Sequence, residues 1–153
     1  MHMNRAWIEA RIPHQGRMCL LDEVIAWNAQ HIRCSTGTHR ALDNPLRSHD
    51  RLGIACGIEY AAQAMALHGA LATAAAGAGA GAASRVGLLA SVRDVRLHVS
   101  RLDDIESNLL CEVTHVAGDN LTALYEFALR DKDRSLLAGR ASVVLDAGRR
   151  LRL

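Results

Sequence analysis

Glu59 and Gln63 stand four residues apart in GIACGIEYAAQAMALHGAL (53–71), a stretch otherwise built of alanine, glycine and aliphatic side chains. On a helix that spacing puts the carboxyl and the amide on one face, one turn apart. Ile58, Ala61, Ala62, Met65 and Ala66 surround Glu59, and nothing else on the helix is charged. Burial in such a setting can raise a carboxyl pKa by as much as about 3–5 units. The helix N-terminus pulls the other way by only about 0.3–1 kcal/mol. If Glu59 is well buried, it is expected to hold its proton near neutral pH and serve as a general acid. Gln63 is expected to orient it. Gly53, Ile54 and Gly57, at the helix start, would offer backbone N–H groups to a substrate oxygen, the glycines permitting close approach.

If Glu59 acts as an acid beside a general base, His49 and His14 are the two histidines to weigh. His49 lies ten residues before Glu59 in a polar stretch, while His14 lies in a loop whose course Pro13 and Gly16 fix. The residues leave the choice open. His39 reads as structural and His68 as a helix-face residue, and His98 and His115 fall on strand-like segments with no partner in sequence. No cluster has metal-ligand spacing, so neither a metal nor a cofactor is expected. Cys19, Cys34, Cys56 and Cys111 are widely spaced and read as reduced core thiols.

Several elements must position these groups. Residues 4–11 can form a short helix that ends before Pro13. Residues 18–28 and 31–39 read as a strand pair joined by a turn at 28–30, and residues 40–53 as a polar loop. The helix is expected from about Ile54 to about Thr73. AAAGAGAGAAS (74–84) reads as a flexible linker. Five strand-like segments follow, at 85–92, 94–101, 108–117, 121–131 and 136–145, separated by polar turn signals. One long helix among strands predicts an α+β fold, a single antiparallel sheet packed on that helix, in one domain spanning 1–153. GRRLRL (148–153) reads as a solvated end.

Composition excludes several functions. Of 153 residues half are hydrophobic and 22% charged, with a net charge of +2. That charge is too small, and aromatic platforms too few, for nucleic-acid binding. The 54–83 stretch, interrupted by Glu59, Gln63, His68 and many glycines, is a poor membrane span. No charged leader followed by an apolar run opens the chain, so a cytoplasmic location is expected.

Two motifs carry a family resemblance. IPHQGRMCLLDEV (12–24) resembles the Pro-His opening of the hotdog-fold 3-hydroxyacyl-acyl-carrier-protein dehydratases, and IEYAAQ (58–63) resembles their central-helix motif. SVRDVRLHVSRL (91–102) is similar to the strands that follow their helix. Within that family the chain looks most like the short dehydratase-like proteins of aryl polyene biosynthesis. The resemblance implies a sheet wrapped round a central helix and dehydration of 3-hydroxyacyl thioesters on acyl carrier protein. It also implies a dimer, of two copies or with another hotdog subunit, whose sites lie across the interface. The pattern departs at SHDRLGIACGIE (48–59), which is shorter than the family's catalytic loop and lacks its Pro-Gly. His49 occupies that region. A hotdog thioesterase and a non-catalytic subunit partnering an active dehydratase are the alternatives.

Overall fold

The computed structural model describes residues 2–77 and 87–145. Its elements are α1 (Arg5–Glu9), β1 (Glu23–Trp27), β2 (His31–Thr36), α2 (Gly57–Ala75), β3 (Leu88–Leu97), β4 (Leu109–Gly118), β5 (Thr122–Arg130) and β6 (Ser135–Val144). The strands form one antiparallel sheet in the order β1-β2-β4-β5-β6-β3, with α2 packed on β2, β4 and β5. This is the expected α+β arrangement.

The helix is alanine-rich, which favours it intrinsically, and it buries Tyr60, Ala61, Ala64, Leu67 and Leu71 on the sheet side. Facing it are alternate residues of β4 and β5, including Leu109, Cys111, Val113, Phe127 and Leu129. Helix and sheet approach so closely at Gly57 that an added Cβ would stand 2.3 Å from Leu137 Cδ2 and 3.0 Å from Leu129 Cδ2. The thiols of Cys19, Cys34 and Cys111 are buried and free, and burial pushes that of Cys34 up to about 12.

The start of α2 is tied down at a distance. Asp103 accepts from the Leu52 N–H at 2.9 Å and from Arg101 Nε at 3.0 Å, while the Leu102 N–H donates to the Leu52 carbonyl at 2.8 Å. Paired with Arg101, the Asp103 carboxyl is held far below the usual carboxylate range. The turn at 28–30 forms as expected, with the Gln30 N–H donating to Asn28 Oδ1 at 2.9 Å.

Three expectations are corrected. Residues 18–22 are buried at Cys19, Leu20 and Leu21, but the strand begins only at Glu23. The segments 85–92 and 94–101 are not two strands. Among the described residues they contribute the single strand β3, whose pairing with β6 shifts register between Leu89 and Ser91 and again between Arg93 and Arg96, with Asp94 at φ 52°. A bulge, where one strand carries an extra residue and bends, accounts for the polar break that resembled a turn. The helix also runs on to Ala75, so the glycine-rich stretch begins later than expected. Most of that stretch and the GRRLRL end lie outside the described residues.

The two sheet edges differ. At β1 the N-terminal segment covers the edge, the Val24 N–H donating to the Met3 carbonyl at 2.9 Å. At β3, among the described residues, the outer edge has no neighbouring strand and exposes Leu88, Leu89, Val95 and Leu97. No helix among the described residues is long and apolar enough to cross a membrane.

Candidate active site

The loop after α1 is braced on both sides before it delivers His14. Arg5 Nη2 donates to the Gly16 carbonyl at 2.7 Å, and Arg5 Nη1 lies 3.3 Å from Asp22 Oδ1. Gly16 takes φ +59°, a conformation that costs glycine little. Gln15 Nε2 donates to the carbonyls of Glu9 at 2.6 Å and Ile12 at 3.1 Å. From the helix side, buried Gln63 accepts from the Leu20 N–H at 2.8 Å and donates to the Met18 carbonyl at 2.6 Å. Stapled this way, the loop places His14 Nε2 3.3 Å from Glu59 Oε1.

Both side chains line a cavity of about 830 Å³. Its floor is the half-exposed stripe Ala62, Ala66, Gly69 and Thr73 of α2, and residues 87–89 of the β3 end and Val143 of β6 form part of its wall.

Electrostatics at the pair run against the expectation of a protonated Glu59. The hydrogen bond from His14 is the dominant influence and holds the carboxyl below its ordinary value of 4.5; desolvation opposes it, and Gln63 adds a smaller lowering. The side chain is 36% exposed. The condition for a raised pKa, thorough burial, is not met, and a donor at 3.3 Å wins. The other imidazole nitrogen, His14 Nδ1, is buried without a hydrogen-bond partner. An imidazole that donates through Nε2 to the carboxylate keeps its lone pair on Nδ1 when neutral.

The remaining sequence-derived candidates stand elsewhere. His49 is exposed at φ 53°, its Nδ1 2.8 Å from Ser48 Oγ, and does not line the cavity. Gln63 holds the His14 loop with both polar atoms and also hydrogen-bonds Glu59. Gly57 serves the contact with β5 and β6. Gly53 bridges to Arg101, and the Ile54 N–H donates to the Ser100 carbonyl at 3.1 Å, so that N–H already has a partner. His39 is buried, its Nε2 2.9 Å from the Ile105 carbonyl. Sequence reasoning set aside His68 and His115, which line the same cavity with Tyr125 at its far end. The three are brought together only by the sheet and the helix, from positions far apart in the chain. Among the described residues, no group of three or more His, Cys, Asp or Glu could hold a metal ion.

The family described as ApeP-like, ApeP dehydratase, matches residues 6–148. The chain belongs to the ApeP-like dehydratase family. Among solved structures it is similar to a chain of the dehydratase heterocomplex ApeI:P from Xenorhabdus doucetiae, at 20% identity and a TM-score of 0.80, covering 95% of this chain and 97% of that one. It also resembles a mutant thioesterase from Pseudomonas aeruginosa, at 10% identity and a TM-score of 0.57, covering 80% and 79%. A protein from Helicobacter felis matches at 13% identity and a TM-score of 0.60, covering 88% and 85%. The fold is hotdog, as the sequence resemblance implied. A sequence search of curated proteins finds no match.

Proposed function

We propose that the chain removes water from 3-hydroxyacyl thioesters carried on acyl carrier protein, in polyene or fatty-acid-like biosynthesis, with His14 and Glu59 as the acid–base pair. The observation that carries the reading is the 3.3 Å contact between His14 and Glu59 on the wall of a large cavity, in a chain of a dehydratase family. Dehydration needs one group to take the C2 proton and another to protonate the departing 3-hydroxyl. In this reading the imidazole takes the C2 proton, the C–H electron pair becomes the C2–C3 double bond, and the C3–O bond breaks as Glu59 delivers a proton to the leaving oxygen. The imidazolium then passes its Nε2 proton to Glu59 across their hydrogen bond, and exchange of the remaining ring proton from Nδ1 to Nε2 restores the starting pair.

The carboxyl must be protonated to begin, although in the open chain it is held below its ordinary value. Excluding water from a half-exposed carboxylate raises its pKa. An acyl chain in the cavity, together with a second hotdog subunit over it, would supply that exclusion. The β3 edge, which has no neighbouring strand among the described residues and exposes Leu88, Leu89 and Leu97, is the surface on which such a subunit would add. The structural neighbour from Xenorhabdus doucetiae is itself a chain of a heterocomplex.

A non-catalytic role beside an active partner is the second reading, favoured by His49 standing away from the cavity and by the lowered pKa of Glu59. The test uses the purified chain, alone and co-purified with its co-expressed hotdog partner, on a 3-hydroxyacyl carrier thioester. Light scattering is expected to give about twice the chain mass for the chain alone or a mixed dimer with the partner. Enoyl product that disappears with Glu59→Gln supports catalysis by this chain. Enoyl product from the complex that survives the substitution assigns the chemistry to the partner, and free acid marks a thioesterase.

A further inference from the structure

The end of β2 and the turn after it do not line the cavity, yet they tie together the surroundings of both rim residues. Tyr60, next to Glu59 on α2, is wholly buried; its hydroxyl stands 2.8 Å from Thr38 Oγ1 and accepts from Asn44 Nδ2 at 3.1 Å. With Asn44 donating to it, the Tyr60 hydroxyl gives its own hydrogen to Thr38. Thr36 and Thr38 close on the Leu20 carbonyl at 2.5 and 2.7 Å. Between them the Gly37 N–H donates to Asp22 Oδ2 at 2.8 Å. The other oxygen of that carboxylate faces Arg5 Nη1 at 3.3 Å, and Arg5 Nη2 donates to the carbonyl of Gly16, just past His14, at 2.7 Å. One polar chain therefore runs from the neighbour of Glu59, through residues 36–38, to the loop that carries His14.

We infer that Asp22 is a positioning residue for the rim pair: gripped by the 36–38 turn and acting through Arg5, it sets the His14 loop against α2 at hydrogen-bond distance from Glu59. Stability is not reason enough for the Asp22–Arg5 pair, because both side chains are half-exposed and such pairs contribute little. What the pair supplies is direction. Asp22 cannot swing away without giving up the Gly37 N–H, and so held it aims the Arg5 fork. Arg5 Nε faces Glu9 Oε1 at 3.3 Å, so three nitrogens point at three partners. A lysine ammonium, compact and on a flexible stem, cannot span those directions at once. The Gln63 bonds reach this segment only at Met18 and Leu20, whereas the Asp22 route reaches Gly16. The pair needs such a frame, because a displacement of about 1 Å at reacting groups can cost on the order of 10²-fold in rate.

The inference rests on His14 and Glu59 being the reacting pair, but its first readout needs no substrate. The Glu59 carboxyl is titrated by carbon-13 NMR in the purified chain, its signal assigned by its absence from Glu59→Gln. Asp22→Asn keeps the size of the side chain but removes its negative charge and its hold on Arg5. Arg5→Lys keeps the positive charge and removes the fork. Loss of the Asp22 charge alone would ease ionisation of Glu59, whereas loss of the His14 contact hinders it, so the two causes have opposite signs. The Glu59 midpoint is expected to rise toward its ordinary 4.5 in both variants. Enoyl formation by an active chain is expected to fall about ten- to hundredfold in kcat, with KM little changed. A midpoint that stays or falls in either variant, or a rate that survives both, overturns the assignment. Should Asp22→Asn fail to fold, the charge-conserving Arg5→Lys carries the same decision. An inactive chain whose Glu59 midpoint still rises in both variants would defeat the catalytic reading and leave the positioning role of Asp22 standing.

Discussion

The two ends of the cavity hold similar chemical groups in opposite states. At one end His14 and Glu59 are 26% and 36% exposed, and their contact keeps the carboxyl ionised. At the other, His68 and Tyr125 are almost wholly buried, and burial drives both toward their neutral forms. The difference follows from what surrounds them. The first pair joins a loop to the exposed start of α2 and meets water directly, while the second lies between α2 and the sheet, where each group is satisfied by a neutral partner. A pair whose protonation must change during a reaction has to sit where its surroundings can change. A pair that stays neutral can be fixed in the interior.

Substitution at the rim should have the largest effect. Glu59→Gln keeps size and hydrogen bonding but cannot deliver a proton, and turnover measured as enoyl formation should fall by about 10²–10⁴-fold with the fold kept and the melting temperature at neutral pH only slightly lowered. His14→Ala should cost a similar factor, and the double variant little more than either, because the two act as one unit. Near-normal activity in either single variant would remove the rim pair from the mechanism.

Gln63 connects the rim to the helix. Gln63→Leu leaves the Leu20 N–H and the Met18 carbonyl unpaired, at about 1–3 kcal/mol each. Denaturant midpoints should drop accordingly, and turnover should fall because His14 is no longer held. A smaller loss follows from Gly57→Ala. Overpacking against Leu137 costs about 1–3 kcal/mol, offset by a helix-propensity gain of roughly 0.8–1 kcal/mol. The net should be a loss of order 1 kcal/mol in chemical denaturation.

The smallest effect concerns pH. Glu59's folded pKa lies below its ordinary 4.5, so its contribution to stability is present above that value and is lost as pH falls through the folded pKa. Urea midpoints followed from about pH 6 to about pH 3 should fall less steeply in Glu59→Gln than in the parent. Asp103 and Asp131, also lowered, keep part of the acid slope in both proteins. An identical slope would mean that the His14 contact does not bias the carboxyl.

What could be read from the sequence follows the range of the interactions. The strands β4, β5 and β6 and the helix were legible because their signals are local: alternation, alanine content, turn residues. Glu59 was legible because a lone carboxylate on an apolar helix is a local anomaly. Its charge state was not, since burial depends on what stands opposite and His14 is 45 residues away. Gln63 serves Glu59 as expected, adding to the lowering of its carboxyl, but it is also held by backbone groups more than 40 residues earlier in the chain, which no local pattern shows. His115 shows no partner in sequence because its neighbours, His68 and Tyr125, come from α2 and β5.

The two shifts of register along β3 bear on how this molecule can associate without running away into polymer. An uninterrupted ten-residue margin of free amides and carbonyls is a template on which strand after strand can stack. Here Asp94, at φ 52° between Arg93 and Arg96, breaks that margin and twists it, so an arriving strand finds only short runs in step. The opposite margin is already occupied by the chain's own first residues. Among the described residues, one broken margin and one sealed margin leave little continuous backbone to template a stack, which works against a leucine-bearing border seeding fibres.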